Sequence, residues 1–151
     1  MELKTFVQKK LLLKNLALIL LTSLGLTVTA ASAAPAVKPL VELHTSVGDI
    51  RIELDAERAP ATVANFLQYV DSGFYDGLQF HRVVAGFVVQ GGGYTADGSE
   101  RPTRATVKNE SVGGLGNARG TIAMARKPDP DSAAAQFYFN LKDNDALNAK
   151  G

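Results

Sequence analysis

The chain has 151 residues, 16 of them basic and 15 acidic, with 46% hydrophobic side chains and neither cysteine nor tryptophan. The lack of cysteine excludes disulfide frameworks, zinc–thiolate sites and thiol nucleophiles. A formal charge of +1 gives no electrostatic footprint for nucleic acid or an acidic membrane surface.

Lys4, Lys9, Lys10 and Lys14 precede an uncharged, leucine-rich run, Leu16–Val28, and then small residues with an Ala-x-Ala pattern at Ala31–Ala33. A basic start, an apolar centre and a small-residue end make residues 1–33 a secretory signal peptide, with cleavage expected near Ala33. The apolar run is short against the roughly 20 residues of a membrane span, so an uncleaved anchor is the lesser alternative. Removal takes away four of the basic residues and one acid, leaving a slight excess of acid. The processed chain is expected to be free of the membrane, in the periplasm or the medium. Residues 34–39 are a short proline-containing lead-in, and residues 40–151 suffice for one domain.

Leu40–Thr45, "LVELHT", and Ile50–Leu54, "IRIEL", alternate apolar and polar around "SVGD", which predicts a hairpin. Pro60 suits a first helical turn. Val63, Phe66, Leu67 and Val70 then recur on one helical face, and Gly73 is placed to end that helix. Phe80–Val84 and Val88–Gly92 read as strands, as do Thr121–Ala125 and Gln136–Leu141 around the loop "RKPDPDSAA". Residues 93–120 form a glycine-rich excursion without periodicity, and a loop of that length is usually functional. The balance is mainly β with one helix, which points to a barrel or sandwich capped by that helix.

"QGGG" and "GGLGNARG" match neither a dinucleotide-binding fingerprint nor a phosphate loop ending in Lys-Ser/Thr, so their glycines read as turn and bulge positions. His44 and His81 are the only histidines and make a weak metal site. No G-x-S-x-G elbow is present. "NES" at Asn109–Ser111 fits the glycosylation acceptor pattern. Arg82 and Gln90 lie on apolar strands, where a buried polar group needs a partner or a purpose. On spacing alone, exposure of one strand face is the better explanation.

"SGFYDGLQFHRVVAGFVVQGGG" at Ser72–Gly93, "NARGTIAMAR" at Asn117–Arg126 and "AQFYFNL" at Ala135–Leu141 resemble the signature segments of cyclophilin-type peptidyl-prolyl isomerases. The helix "APATVANFLQYV", Ala59–Val70, also fits in place ahead of them. The resemblance runs from Val41 to Leu147, is most specific over Phe80–Gln90, and is close to secreted bacterial members. It implies an eight-stranded antiparallel β-barrel capped by helices, with a peptide groove on its outside. It implies isomerisation of X–Pro bonds in exported proteins with no cofactor and no metal. Proline-containing polypeptides are the implied substrates, and a cyclosporin-type ligand is a further implied occupant of the groove. Arg82 takes the place of the family's catalytic arginine. Phe87, Val88, Tyr138 and Leu147 take the proline pocket, Gln90 and Gln136 the polar positions that hold the peptide and orient the arginine, and Ala125 a backbone-pairing position.

Three departures stand out. Val88 replaces a usual methionine, Tyr138 a usual phenylalanine, and Ala146 a usual large aromatic. The last favours the rival reading of a proline-peptide-binding or chaperone module with little turnover; an inactive gene fragment is a third. Family members also continue past the position of Gly151 with a strand, a helix and a closing strand. The expected fold is therefore a cyclophilin-like barrel without those closing strands and second helix. Its first hairpin should have an open edge, and apolar residues of that hairpin and of Val63–Val70 should be exposed. Such a chain should be only marginally stable.

Overall fold

Nine strands and one helix make up the computed structural model, which describes residues 3–6 and 38–149. Strand β1 (Leu3–Phe6), β2 (Leu40–Thr45) and β3 (Gly48–Glu53) form an antiparallel sheet in that order. The hairpin β2–β3 closes through Ser46 and Val47, with Thr45 opposite Gly48 and the Thr45 hydroxyl donating to the Gly48 carbonyl at 2.6 Å. This tight closure starts β3 two residues earlier than the alternation of "IRIEL" predicts.

Helix α1 (Pro60–Asp71) begins with proline in its first turn. Gly73, at φ 65°, ends it: the Gly73 N–H donates to the Val70 carbonyl and the Phe74 N–H to that of Tyr69, both at 3.0 Å. This pair of bonds satisfies carbonyls that the helix end leaves free. Val63, Phe66, Tyr69 and Val70 face inward and pack with Val41, Leu43, Ile52 and Leu54 of the hairpin region. Phe137 meets Phe66 and Tyr75 edge to face, at ring separations of 5.6 and 5.4 Å, a favourable aromatic geometry.

One expectation fails here, and a second is limited to the processed chain. The hairpin and helix do not expose their apolar faces: Val41, Leu43, Phe66 and Val70 are 3% exposed or less, because each covers the other and the aromatic cluster fills the space between. Nor is the edge of β2 open in the unprocessed chain. Leu3–Phe6, within the segment read as a leader outside the fold, lies along it in the register Leu3 opposite Thr45 and Phe6 opposite Glu42. The expectation for the processed chain, which lacks residues 1–33, is untouched by this pairing. An unpaired strand edge offers a ladder of donors and acceptors to any extended segment.

The remaining strands are short. β4 (Leu78–Gln79) pairs with β7 (Tyr94–Thr95). β5 (Arg82–Val84), β6 (Val88–Gly91), β9 (Phe137–Asn140) and β8 (Ile122–Met124) form a four-stranded sheet in that order. The strand expected over Phe80–Val84 is thus shortened to Arg82–Val84, and β4 ahead of it is an additional short strand. Phe80 is buried in the core, and the chain changes partner on either side of Phe80 and His81.

The excursion over residues 93–120 is fastened to α1 by polar contacts. Arg101 donates to the carbonyls of Phe74 and Asp76 at 2.6 and 3.1 Å. The Arg104 N–H donates to the Tyr69 hydroxyl at 2.8 Å. Glu110 accepts from the backbone N–H groups of Ala61 and Thr62 at 3.0 and 2.8 Å, filling the capping role that Ala59 cannot. The "NES" segment closes its own turn, with Asn109 Oδ1 accepting from the Ser111 N–H at 2.7 Å.

Candidate active site

Register puts the site together. Arg82 lies opposite Gln90, Gln90 opposite Tyr138, and Tyr138 opposite Ala123. Directly paired residues of antiparallel strands point to the same face, so one row across β5, β6 and β9 presents a guanidinium, a carboxamide and an aromatic ring. Arg82 Nη1 lies 3.4 Å from Gln90 Oε1, a long contact, and Gln90 Nε2 donates to Gln136 Oε1 at 2.9 Å. The Arg82 guanidinium sits 5.7 Å from the Phe87 ring centroid.

A cleft of about 420 Å³ opens beside this row. Arg82, Phe87, Val88, Gln90, Ala125, Tyr138 and Leu147 all line it. Gln136, the remaining residue singled out from the sequence, stands behind Gln90 as its hydrogen-bond partner. Val88 is buried and forms floor; Leu147, 39% exposed, forms rim. Met124 and Arg126 also line the cleft and were missed. Both lie within "NARGTIAMAR", where only Ala125 was singled out. Ala146 is exposed and is not among the lining residues, whereas its neighbour Leu147 is.

The glycines of "QGGG" have a packing reason rather than a phosphate-binding one. Gly92 has φ 84°, and a Cβ there would stand 2.9 Å from the Phe137 ring. A Cβ at Gly93 would stand 2.6 Å from Gln136 Nε2 and 2.7 Å from Gln136 Cγ. These glycines let β6 and the chain after it close onto the residues that back the cleft.

The wall carrying Tyr138 and Leu147 is held by asparagines. The Tyr138 hydroxyl and Asn140 Nδ2 both donate to Asn117 Oδ1, at 2.8 and 3.2 Å. The Asn117 N–H donates to Asn148 Oδ1 at 2.7 Å, just after the 3₁₀ turn Asp145–Leu147. Asn144, buried at the start of that turn, donates through Nδ2 to the Phe87 carbonyl and to Asn140 Oδ1, at 3.0 and 2.8 Å. Phe87, Tyr138 and Leu147 are thereby tied into one frame. Burial pushes the Tyr138 phenol above its ordinary pKa, with the Arg126 charge acting weakly the other way.

Among the described residues, the Tyr138 phenol is the only hydroxyl lining the cleft and is already engaged, and no carboxylate, histidine or lysine lines it. His81 packs against Tyr94 at 4.6 Å, with its Nδ1 buried and unpartnered; burial lowers its pKa. The arrangement suits reversible grip of an apolar ring, with a guanidinium donor at its edge. It supplies no group for nucleophilic attack or general acid–base transfer.

Residues 40–151 match the family described as cyclophilin type peptidyl-prolyl cis-trans isomerase/CLD. A peptidyl-prolyl cis-trans isomerase A of Dickeya dadantii is 46% identical over 135 residues, covering 89% of this chain and 71% of that protein. Among solved structures, a cyclophilin from Hirschia baltica superposes with a TM-score of 0.66 at 25% identity, covering 72% of this chain and 59% of that one. A cyclophilin type isomerase of Cryptosporidium parvum, solved in the presence of the dipeptide Ala-Pro, gives 0.62 at 28% identity, with 72% of each chain covered. The match over residues 40–151, the shared fold and the identity to a named isomerase agree: the chain belongs to the cyclophilin-type peptidyl-prolyl cis–trans isomerases.

Proposed function

We propose that the chain accelerates rotation about X–Pro bonds in exported polypeptides, with Arg82 as its catalytic group. The observation that carries this reading is the Arg82 guanidinium beside Phe87 in a cleft also lined by Val88, Tyr138 and Leu147, with no carboxylate, histidine, lysine or thiol lining it among the described residues. Rotation about a peptide bond crosses a barrier of about 18–20 kcal/mol because amide resonance is broken. No bond need form and no proton need leave. Acceleration requires only that the twisted amide be bound better than either planar isomer, by about 7 kcal/mol for a hundred-thousand-fold effect.

In the twisted amide the prolyl nitrogen becomes pyramidal and regains a lone pair. Arg82 donates to that nitrogen only in this state. The proline ring sits against Phe87, Val88, Tyr138 and Leu147 while the preceding carbonyl swings. Gln90, backed by Gln136, holds Arg82 and the peptide backbone, and Ala125 meets the extended chain. Residues 1–33 act as a signal peptide that delivers the domain to exported clients, on the strength of their lysines, apolar run and Ala-x-Ala end. Strand β1 belongs to the chain before that leader is removed.

A protease-free isomerisation assay on a proline tetrapeptide tests the reading. The expected result is relaxation much faster than the uncatalysed tens to hundreds of seconds, suppressed by a cyclosporin-type competitor. Peptide binding with no acceleration would replace it with the binding-module reading.

A further inference from the structure

Among the described residues, the cleft carries two guanidinium groups, Arg82 and Arg126, and no carboxylate. Only the first has a role in the proposed reaction. Arg126 is exposed at the rim, directly after Ala125. Its Nη1 donates to the carbonyls of Lys127 and Pro128 at 3.0 and 3.3 Å, which fixes the head group on its own loop. Its Nε and Nη2 have no acceptor, and it pairs with no carboxylate, among the described residues.

The nearest acids in sequence are occupied elsewhere. Asp129 Oδ1 accepts from the Asp131 N–H at 3.0 Å, and Asp131 Oδ1 accepts from the Asn109 N–H at 2.8 Å. By contrast, Arg51 on the first hairpin and Lys38 just before it each face a glutamate, at 3.0 Å. Arg126 is thus a held cation, with free donors, facing the path of any peptide whose proline fills the pocket. A guanidinium presents a fork of donors that matches a carboxylate.

We propose that Arg126 is a specificity-determining residue that favours peptides with an aspartate or glutamate beside the proline and disfavours those with lysine or arginine there. The inference rests on the cleft binding proline peptides as proposed above. Exposed ion pairs are modest and screened, so the effect is one of selection among clients rather than of rate.

The test measures binding and turnover for peptides that differ only in carrying glutamate, alanine or lysine immediately before or immediately after proline. At low ionic strength, the glutamate peptide of one series should bind about five- to tenfold more tightly than its lysine counterpart, and the ratio should shrink toward about twofold near 0.5 M salt. Arg126→Gln should collapse the ratio and Arg126→Lys should preserve most of it; the ratio, not absolute affinity, is the readout. Equal affinities for glutamate and lysine peptides in the parent, or a preference that survives Arg126→Gln, would overturn the inference. Binding without turnover counts against the isomerase reading alone, since the ratio is still measured. Failure to bind any of the peptides removes both.

Discussion

The Tyr138 hydroxyl donates a 2.8 Å hydrogen bond to Asn117 Oδ1, and the Asn117 backbone bonds both Asn144 and Asn148, at 2.8 and 2.7 Å. A phenol in a cleft otherwise floored by apolar groups is thereby satisfied from behind. Its ring face stays available to a proline, and the turn bearing Leu147 is fixed to the same asparagine.

Asn117→Ala should therefore act on the cleft through its wall. The expected outcome is a KM raised about three- to tenfold with kcat changed much less, the pattern of lost uniform binding. Tyr138→Phe removes one bond to a half-buried amide and should cost about 1 kcal/mol of stability. Steady-state kinetics and denaturant unfolding of both single variants and the double variant check this. Additive effects would show that the two residues do not act as a unit.

Gly93→Ala tests the backing of the cleft. Its Cβ would overlap Gln136 from Cγ to Nε2, forcing that side chain off Gln90. Since Gln136 can swing away, the fold should survive, with a stability loss of about 1 kcal/mol or less. Turnover should fall about tenfold as Gln90 and Arg82 lose their support. Full activity in Gly93→Ala would show that the Gln136–Gln90 bond does not matter to the reaction.

Glu110 gives a pH-dependent prediction. Burial pushes its carboxyl up, but the N–H donors of Thr62 and Ala61 outweigh this and hold its pKa below the ordinary 4.5. A depressed carboxylate pKa contributes stability that is present above the unfolded value and lost as pH falls through the folded one. Glu110→Ala should lower stability by about 1 kcal/mol at neutral pH, as for loss of a helix cap. Glu110→Gln, which keeps an acceptor, should lower it less. Both differences should shrink as pH falls below about 4. Urea unfolding at neutral and acidic pH checks this, and a difference that persists in acid would assign the effect to packing.

The hairpin, the helix and its stop at Gly73 were legible because alternation, the 3.6-residue period and a left-handed glycine act within a few residues of one another. Seven cleft residues were legible through the resemblance of the segments around Arg82, Ala125 and Tyr138 to the family's signature, and not from periodicity or spacing. The late start of β5 at Arg82 and the short strand β4 before Phe80 were not, since an apolar run does not encode which partner each piece of it takes. Nor was the pairing of Leu3–Phe6 with β2, which rests on backbone groups and leaves no side-chain pattern. Asn117, Asn140, Asn144 and Asn148 gave a faint signal as asparagines concentrated in two segments, but their bonds span up to 31 positions and no local rule joins them. Arg126 ends a strand motif, and its place in the cleft depends on the turn that brings Leu147 opposite.

The most direct test of the account is Arg82→Ala, measured for both turnover and peptide binding. Arg82 is exposed, and its one side-chain hydrogen bond among the described residues is the long contact to Gln90, so its removal should leave the fold intact by circular dichroism. A donor that acts only on the twisted amide should cost about tenfold or more in kcat/KM, carried by kcat, while affinity for a proline peptide changes by less than about threefold. Turnover within about twofold of the parent would contradict the account, because a cleft that works without its guanidinium would owe its chemistry to something other than the group on which this mechanism depends.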